Sequence, residues 1–138
     1  MGSLSSFEIR VQTRWPDFDG LGHLHHAVYH VYLDEARDDA LRRTVGDFEA
    51  FPNVVAHASI DYRREIEYGV REVIMRTEIA RVGGSSIRFR QLVLTPGGEV
   101  AAEAESVLVA WDPVTRSSRA IAESERRALL GGDADEIP

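Results

Sequence analysis

The side chains of this chain that could do chemistry are concentrated in residues 15–30. This stretch reads WPDFDGLGHLHHAVYH and holds two aspartates, two glycines and four of the five histidines. A carboxylate can act as a nucleophile or as a general base on water. The stretch runs into a predicted helix, whose first N–H groups and positive dipole end can hold a developing oxyanion. Gly20 and Gly22 would let the backbone bend and approach a ligand closely, or they form a plain turn.

The histidines of the stretch also admit a metal site. His26 and His30 lie four residues apart, so a helix would place them on one face, a geometry that binds zinc when a third ligand is near. The chain has no His-Glu-x-x-His motif and no cysteine. We therefore expect neither a metal nor an organic cofactor. His25 is interpreted as a loop residue and His57 as a histidine within a sheet.

A strand and a helix are predicted on either side of this stretch. Residues 7–14 alternate apolar and polar side chains, the pattern of a strand with one covered face. From Val28 to Ala40 the apolar residues recur at helical spacing, with charged residues on the other side, which predicts a helix over residues 26–43. Gly46 is placed to end that helix.

Four more strands are predicted after the helix. They cover residues 54–68, 72–82, 86–95 and 99–112, and the turns VGGSS and TPGGE join the last three as hairpins. Residues 123–130 predict a short terminal helix and residues 131–138 a frayed tail. The fold class expected is α+β, with a long central helix packed on a mostly antiparallel five-stranded sheet.

Length and composition limit the classes of protein that fit. The 138 residues suit a single domain, with its core over about residues 7–120 and the terminal helix and tail over residues 121–138. The apolar share is 43%, and no apolar run approaches the roughly 20 residues that a bilayer requires. The first ten residues are too weakly apolar for a signal peptide. Without cysteine there are no disulfides, which fits a cytoplasmic protein.

The charge pattern bears on the partners. The formal net charge is −7 and the basic residues are scattered, so we expect no nucleic-acid partner and no membrane partner. Two arginine clusters, at residues 61–64 and 87–90, could contact the phosphates of a ligand, or they are solvated strand faces. A five-stranded sheet leaves edges and a face uncovered, so we expect a homo-oligomer, either a dimer or a tetramer.

The order of these motifs carries a family resemblance. The run DFDGLGHLHHAVY, the helix with YLDEAR, and the later segments DYRREIEYG and RVGGSSIRF resemble the hotdog-fold acyl-CoA thioesterases of the 4-hydroxybenzoyl-CoA thioesterase type. The resemblance covers nearly the whole chain, roughly residues 7–120. It implies the hotdog fold, and an enzyme that hydrolyses an acyl-CoA thioester to the free acid and coenzyme A without a metal.

The resemblance also assigns roles to residues. It places the catalytic carboxylate on Asp19, with Asp17 as a structural neighbour, and it makes the backbone N–H of His26 the group that polarises the thioester carbonyl. Whether Asp19 would act as a nucleophile or as a general base stays open. The chain departs from the family pattern in REIEYG, where many relatives have a proline in place of Glu65 and a basic or apolar residue near Glu67.

Further residues are expected to contact the substrate. The loop could line the cleft. The first helical tyrosine could form a wall of the acyl pocket or pack on the sheet. The serines after the Gly-Gly turn lie near the pantetheine path of relatives, and two arginines on one strand face suit the phosphates of coenzyme A. These residues are Gly22, His23, Tyr29, Ser85, Ser86, Arg88 and Arg90.

The sequence was also compared with three other functions of this fold. An acyl-carrier-protein thioesterase would use the arginines to contact an acidic helix instead of a nucleotide. A hydratase of the same fold is disfavoured, because its usual pair of a histidine and a carboxylate elsewhere in the chain is not recognisable. A non-catalytic acyl-CoA-binding hotdog protein would still bind its ligand after loss of Asp19.

Overall fold

The computed structural model describes residues 5–131, so the predicted tail lies outside the described residues from residue 132 onward. Within these residues two α-helices and six strands follow one another. They are β1 Ser6–Gln12, α1 Val28–Arg42, β2 Asn53–Tyr62, β3 Glu72–Val82, β4 Ser86–Leu94, β5 Val100–Asp112, β6 Ser117–Ser118 and α2 Glu123–Leu129. The predicted α+β class is confirmed. The short strand β6, which pairs with the end of β5, was not predicted.

The main sheet has the strand order β1-β3-β4-β5-β2, and each neighbouring pair is antiparallel. Strands β3, β4 and β5 are joined by the predicted hairpins. Strand β2 crosses to the far edge and pairs with β5. The two edges of the sheet are therefore β1 and β2.

Alternation along the strands gives the sheet an apolar inner face and a charged outer face. On β5, Ala102 and Ala104 are buried, while Glu103 and Glu105 between and beside them are exposed. Helix α1 packs on the inner face over β1, β3 and β4. Edge strand β2 stays largely uncovered, and its Val55 is 49% exposed. No helix within residues 5–131 is long and apolar enough to cross a membrane.

Two element boundaries differ from those predicted, both near the stretch 15–30. Helix α1 begins at Val28, because a turn precedes it in which the N–H of Val28 donates to the carbonyl of His25 at 2.9 Å. Strand β2 ends at Tyr62 and does not continue to residue 68. Residues 63–70 instead form a connection that bonds to the stretch 15–30, so tertiary contacts override the strand pattern there.

Helix α1 ends at Arg42, and Gly46, the predicted stop, closes the turn that follows it. The N–H of Gly46 donates to the carbonyl of Leu41 at 2.8 Å, and its φ of +120° lies in the region that favours glycine. A Cβ at this position would lie 2.7 Å from the Cβ of Ala50. Both the backbone angle and the close approach therefore require glycine.

Candidate active site

Residues 17–25 form a tight hairpin at the start of the site. The N–H of Asp19 donates to the carbonyl of His23 at 2.8 Å, and the N–H of His25 donates to the carbonyl of Asp17 at 2.8 Å. Gly22 makes the reversal possible with a φ of +81°, which supports the interpretation of this glycine as a bending point.

The connection between β2 and β3 holds this hairpin from the other side. The N–H of Leu24 donates to the carbonyl of Ile66 at 2.8 Å, and the N–H of Tyr68 donates to the carbonyl of Gly22 at 2.7 Å. Leu24 and Ile66 are both buried. The hairpin is thus fixed by backbone bonds on two sides.

Asp19 sits at the turn of the hairpin, where its carboxylate accepts two backbone hydrogen bonds. Oδ1 accepts from the N–H of Leu21 at 2.9 Å and from the N–H of His23 at 3.1 Å. The bond from His23 is the main cause that holds the pKa of Asp19 below its usual range, against a smaller opposing effect of burial. Asp19 is therefore an ionised carboxylate at neutral pH.

Asp17 faces the interior and supports the fold of the loop. It is 2% exposed, and its Oδ2 accepts from the hydroxyl of Tyr32 at 2.6 Å and from the N–H of Arg14 at 3.1 Å. Burial opposes ionisation, but the hydrogen bonds from Tyr32 and Arg14 outweigh it and lower the pKa of Asp17. The two aspartates thus occupy different environments. This agrees with the expectation that Asp17 is a structural neighbour of Asp19.

The backbone N–H groups just before α1 differ in whether they donate a hydrogen bond. The N–H of Ala27 donates to Nδ1 of His25 at 3.2 Å, whereas the N–H of His26 has no acceptor among residues 5–131. The carbonyl of His26 accepts from the hydroxyl of Tyr62 at 3.0 Å, which orients this segment. His26 lies two residues before the first residue of α1, where the positive end of the helix dipole is felt. Its N–H is thus a backbone donor without a partner in the described part of the chain.

A cavity of about 320 Å³ opens beside the start of α1. It is lined by His23, Leu24, His26, Tyr29, Tyr62, Arg63, Arg64 and Glu65. Three of the predicted site residues, His23, His26 and Tyr29, thus share one cavity. Asp19 is not part of its lining. The carboxylate of Asp19 is linked to the cavity by the hydrogen bond that it accepts from the backbone N–H of His23.

Tyr29 both packs on the core and walls this cavity. It is 3% exposed, and its ring meets that of Tyr62 edge to face with the centroids 5.0 Å apart. Burial is the main cause that raises the pKa of Tyr29 to about 12. The phenol therefore stays protonated and available as a hydrogen-bond donor.

Tyr62 and Glu65 line the site but were not singled out from the sequence. Nε2 of His23 lies 2.6 Å from Oε1 of Glu65. The signal that could have found Glu65 was its departure from the family pattern in REIEYG. Tyr62 had no such signal, because its contact with His26 depends on where β2 ends.

The remaining predicted residues lie elsewhere in the protomer. Ser85 and Ser86 follow the turn at the far end of β3, which spans eleven residues, or about 33 Å. Arg88 and Arg90 share the outer face of β4, as predicted, where both pair with Glu105 at 3.3 and 3.9 Å. One protomer does not bring these residues to the Asp19 hairpin.

Two of these distant residues do share a smaller depression. It measures about 300 Å³ and is lined by Arg81, Gly83, Gly84, Ser86, Arg88 and Val107. Arg90 and Ser85 are outside its lining. The depression combines arginine side chains with a hydroxyl, the groups that suit an anionic ligand.

No cluster of three or more histidine, aspartate or glutamate side chains in the described part of the chain is arranged to hold a metal ion. His25 and His26 stack with their ring centroids 4.5 Å apart. His30 is exposed on α1.

Comparison with known proteins adds to this geometry. The model of the thioesterase superfamily matches residues 21–102, which is more than half of the chain. A search of curated proteins found no match. Among solved structures, a thioesterase from Thermus thermophilus, determined as a complex with coenzyme A and zinc, is 33% identical, with a TM-score of 0.80 over 88% of this chain and 95% of that one.

Two further structures agree in fold. A predicted thioesterase from Bacillus stearothermophilus is 24% identical with a TM-score of 0.83, over 91% of this chain and 94% of its own. A 1,4-dihydroxy-2-naphthoyl-CoA thioesterase from Synechocystis is 17% identical with a TM-score of 0.79, over 95% of this chain and 98% of its own. The expected hotdog fold is confirmed. The chain belongs to the thioesterase superfamily and is a thioester hydrolase.

Proposed function

We propose that the protein hydrolyses an acyl-CoA thioester to the free acid and coenzyme A, with Asp19 as the nucleophile or general base and the N–H of His26 as the donor to the carbonyl oxygen. The observation that carries the proposal is that N–H group. It has no acceptor among residues 5–131, it precedes α1, and His26 lines the cavity of about 320 Å³. A ligand oxygen would supply the missing acceptor.

Attack on a thioester carbonyl places negative charge on its oxygen. A backbone donor at a helix start stabilises that charge, and in enzymes where one such donor was removed the loss was about 2.7–4 kcal/mol. Hydrolysis also requires a nucleophile or a general base. Asp19 supplies this group, because its lowered pKa keeps the carboxylate ionised. Among residues 5–131, backbone N–H groups engage only Oδ1, which leaves Oδ2 for a substrate or a water.

The coenzyme A part of the substrate would need residues from the other end of the sheet. Ser85, Ser86, Arg88 and Arg90 remain proposed contacts of its pantetheine and phosphates. The similar thioesterase from Thermus thermophilus, whose structure contains coenzyme A, supports this class of substrate. Because β3 separates the two ends by about 33 Å, a shared site calls for a second protomer.

A homodimer formed through β2 would meet this requirement. Strand β2 is an edge of the sheet, and Val54, Val55 and Tyr62 on it are 37%, 49% and 45% exposed. An unpaired edge with apolar side chains is a ready surface for strand addition. Antiparallel pairing of two copies of β2 reverses the partner sheet, so the partner's β3–β4 turn comes to the end that carries the Asp19 hairpin.

Val55→Asp tests this dimer, because it places an unpaired charge in the apolar part of the edge. We expect wild-type protein to sediment at twice the protomer mass and Val55→Asp to sediment as a monomer. Val114→Asp is the matched control, since Val114 is 88% exposed in the turn between β5 and β6 and is not part of β2. Monomeric wild-type protein at micromolar concentration would contradict the dimer.

A panel of CoA thioesters with aromatic, short and long acyl groups tests the function. We expect release of free coenzyme A thiol, followed with a thiol reagent, for at least one acyl class. The same acyl groups on acyl carrier protein form the second arm. Faster turnover there would favour the carrier-protein function, and binding without any turnover would favour a non-catalytic acyl-CoA-binding protein.

A further inference from the structure

The side chains of His23 and Glu65 lie next to each other on the wall of the cavity of about 320 Å³. Their Nε2 and Oε1 atoms are 2.6 Å apart. A carboxylate oxygen at this distance favours the tautomer in which Nε2 carries the ring proton. In a neutral imidazole Nδ1 is then the basic nitrogen, and no hydrogen bond among residues 5–131 uses it.

The ring of His23 is held in place by its surroundings. Both neighbours of His23 bond through their backbones to the β2–β3 connection, and its own N–H donates to Asp19. The side chain is 43% exposed and Glu65 is 50% exposed, so water reaches the pair. A base, the residue that orients it and an oxyanion donor at His26 therefore meet at one cavity, which is the arrangement that acyl-transfer sites require.

We infer that His23, oriented by Glu65, is a catalytic residue that accepts the proton of the attacking water, an inference that rests on the proposed thioesterase function. Water oxygen bonds to the carbonyl carbon while its proton moves to Nδ1 of His23. The carbon–sulfur bond then breaks, and the thiolate of coenzyme A takes the proton from Nδ1. The products are the acid and the thiol, and His23 returns to its starting state.

The proton transfer to His23 is compatible with Asp19 as the nucleophile, and in direct attack by water it replaces Asp19 as the general base. If Asp19 attacks the thioester, the thiolate of coenzyme A leaves first. Water then cleaves the mixed anhydride, freeing the Asp19 carboxylate, and gives its proton to His23, which passes it to the thiolate. If water attacks directly, the Asp19 carboxylate stabilises the imidazolium that forms. Imidazole is the most frequent general base in enzymes, whereas a carboxylate with a lowered pKa, such as Asp19, is a weak one at neutral pH.

His23→Ala and Glu65→Gln test the assignment, with Glu67→Gln as the matched control. Glu67 is exposed, lies two residues from Glu65 and has no side-chain ion pair among residues 5–131. For His23→Ala we expect kcat to fall at least about tenfold with KM within about threefold of wild type. Glu65→Gln should lower kcat by about threefold to tenfold, because it keeps a polar side chain beside Nε2 but removes the charge that stabilises the imidazolium. Glu67→Gln should match wild type.

Added imidazole separates a base from a merely structural residue. It should restore turnover to His23→Ala and leave Asp19→Asn inactive, with thioester cleavage by imidazole alone subtracted. His23→Ala with wild-type kcat, or a loss of kcat that imidazole does not restore, would overturn the role of His23. If His23→Ala does not fold, Glu65→Gln with wild-type kcat overturns it instead. Absence of turnover in the wild-type enzyme across the thioester panel would count against the proposed function itself.

Discussion

Asp19→Asn is expected to lower turnover of the acyl-CoA substrate by at least about 100-fold. Asparagine keeps an oxygen at the position of Oδ1, so the hydrogen bonds from the N–H groups of Leu21 and His23 can persist. The substitution removes only the negative charge and the nucleophilic oxygen. We therefore expect a melting temperature near that of wild type, and kcat measured by thiol release as the quantity that changes.

Asp19→Ala is the informative companion of this variant. Alanine removes the acceptor of both turn bonds, so we expect a loss of stability as well as of activity. If Asp19→Asn and Asp19→Ala lose activity equally and only Asp19→Ala loses stability, the catalytic role of the charge is distinct from the structural role of the turn bonds. Asp19→Asn with turnover within a few fold of wild type would refute the catalytic role of this carboxylate.

Asp17→Ala is expected to destabilise the protein by about 2–4 kcal/mol, because it leaves the buried hydroxyl of Tyr32 and the N–H of Arg14 without their acceptor. The side chain of Arg14 is 73% exposed, so its ion pair with Asp17 adds little. Chemical denaturation gives the free energy of unfolding. Glu49→Ala, which changes an exposed carboxylate, should stay within about 0.5 kcal/mol of wild type.

The contribution of Asp17 should also depend on pH. Its pKa is lower in the folded chain than in the unfolded chain, so the stability it adds is present above the unfolded pKa and is lost as the pH falls through the folded pKa. The difference in unfolding free energy between wild type and Asp17→Ala should therefore shrink in acid. A difference that stays constant down to strongly acidic pH would contradict an ionised, hydrogen-bonded Asp17.

The class of fold and much of its layout could be predicted from local patterns. The hairpin strands are examples: β3 was predicted with its observed bounds and β4 within one residue, because alternation and glycine turns act over a few residues. The long helix followed from apolar periodicity, and the turn that closes it followed from the glycine at position 46. The family resemblance supplied Asp19 and His26, and the thioesterase match agrees with the class of reaction.

What could not be predicted depends on segments that are distant in sequence. The strand pattern continues past Tyr62, but residues 63–70 bond to the hairpin of residues 17–25, and that contact ends β2 and places Glu65 on His23. Likewise, a pair of arginines on one strand face suggested a phosphate site, yet Glu105 on the neighbouring strand pairs with both. The order of the strands in the sheet determines which side chains become neighbours, and the sequence of a single strand does not reveal that order.

The sequence by itself determined which groups are available: a carboxylate in a glycine-rich turn, a helix start close behind it, and an alternating sheet to carry them. Only the tertiary structure decided which atoms remain open for a ligand. In the part of the chain that the structure describes, the N–H of Ala27 donates to His25 while that of His26 has no acceptor, and Oδ1 of Asp19 accepts hydrogen bonds while Oδ2 does not. The physical reason is that a hydrogen bond depends on distances of a few tenths of an ångström, which spacing along a chain does not specify.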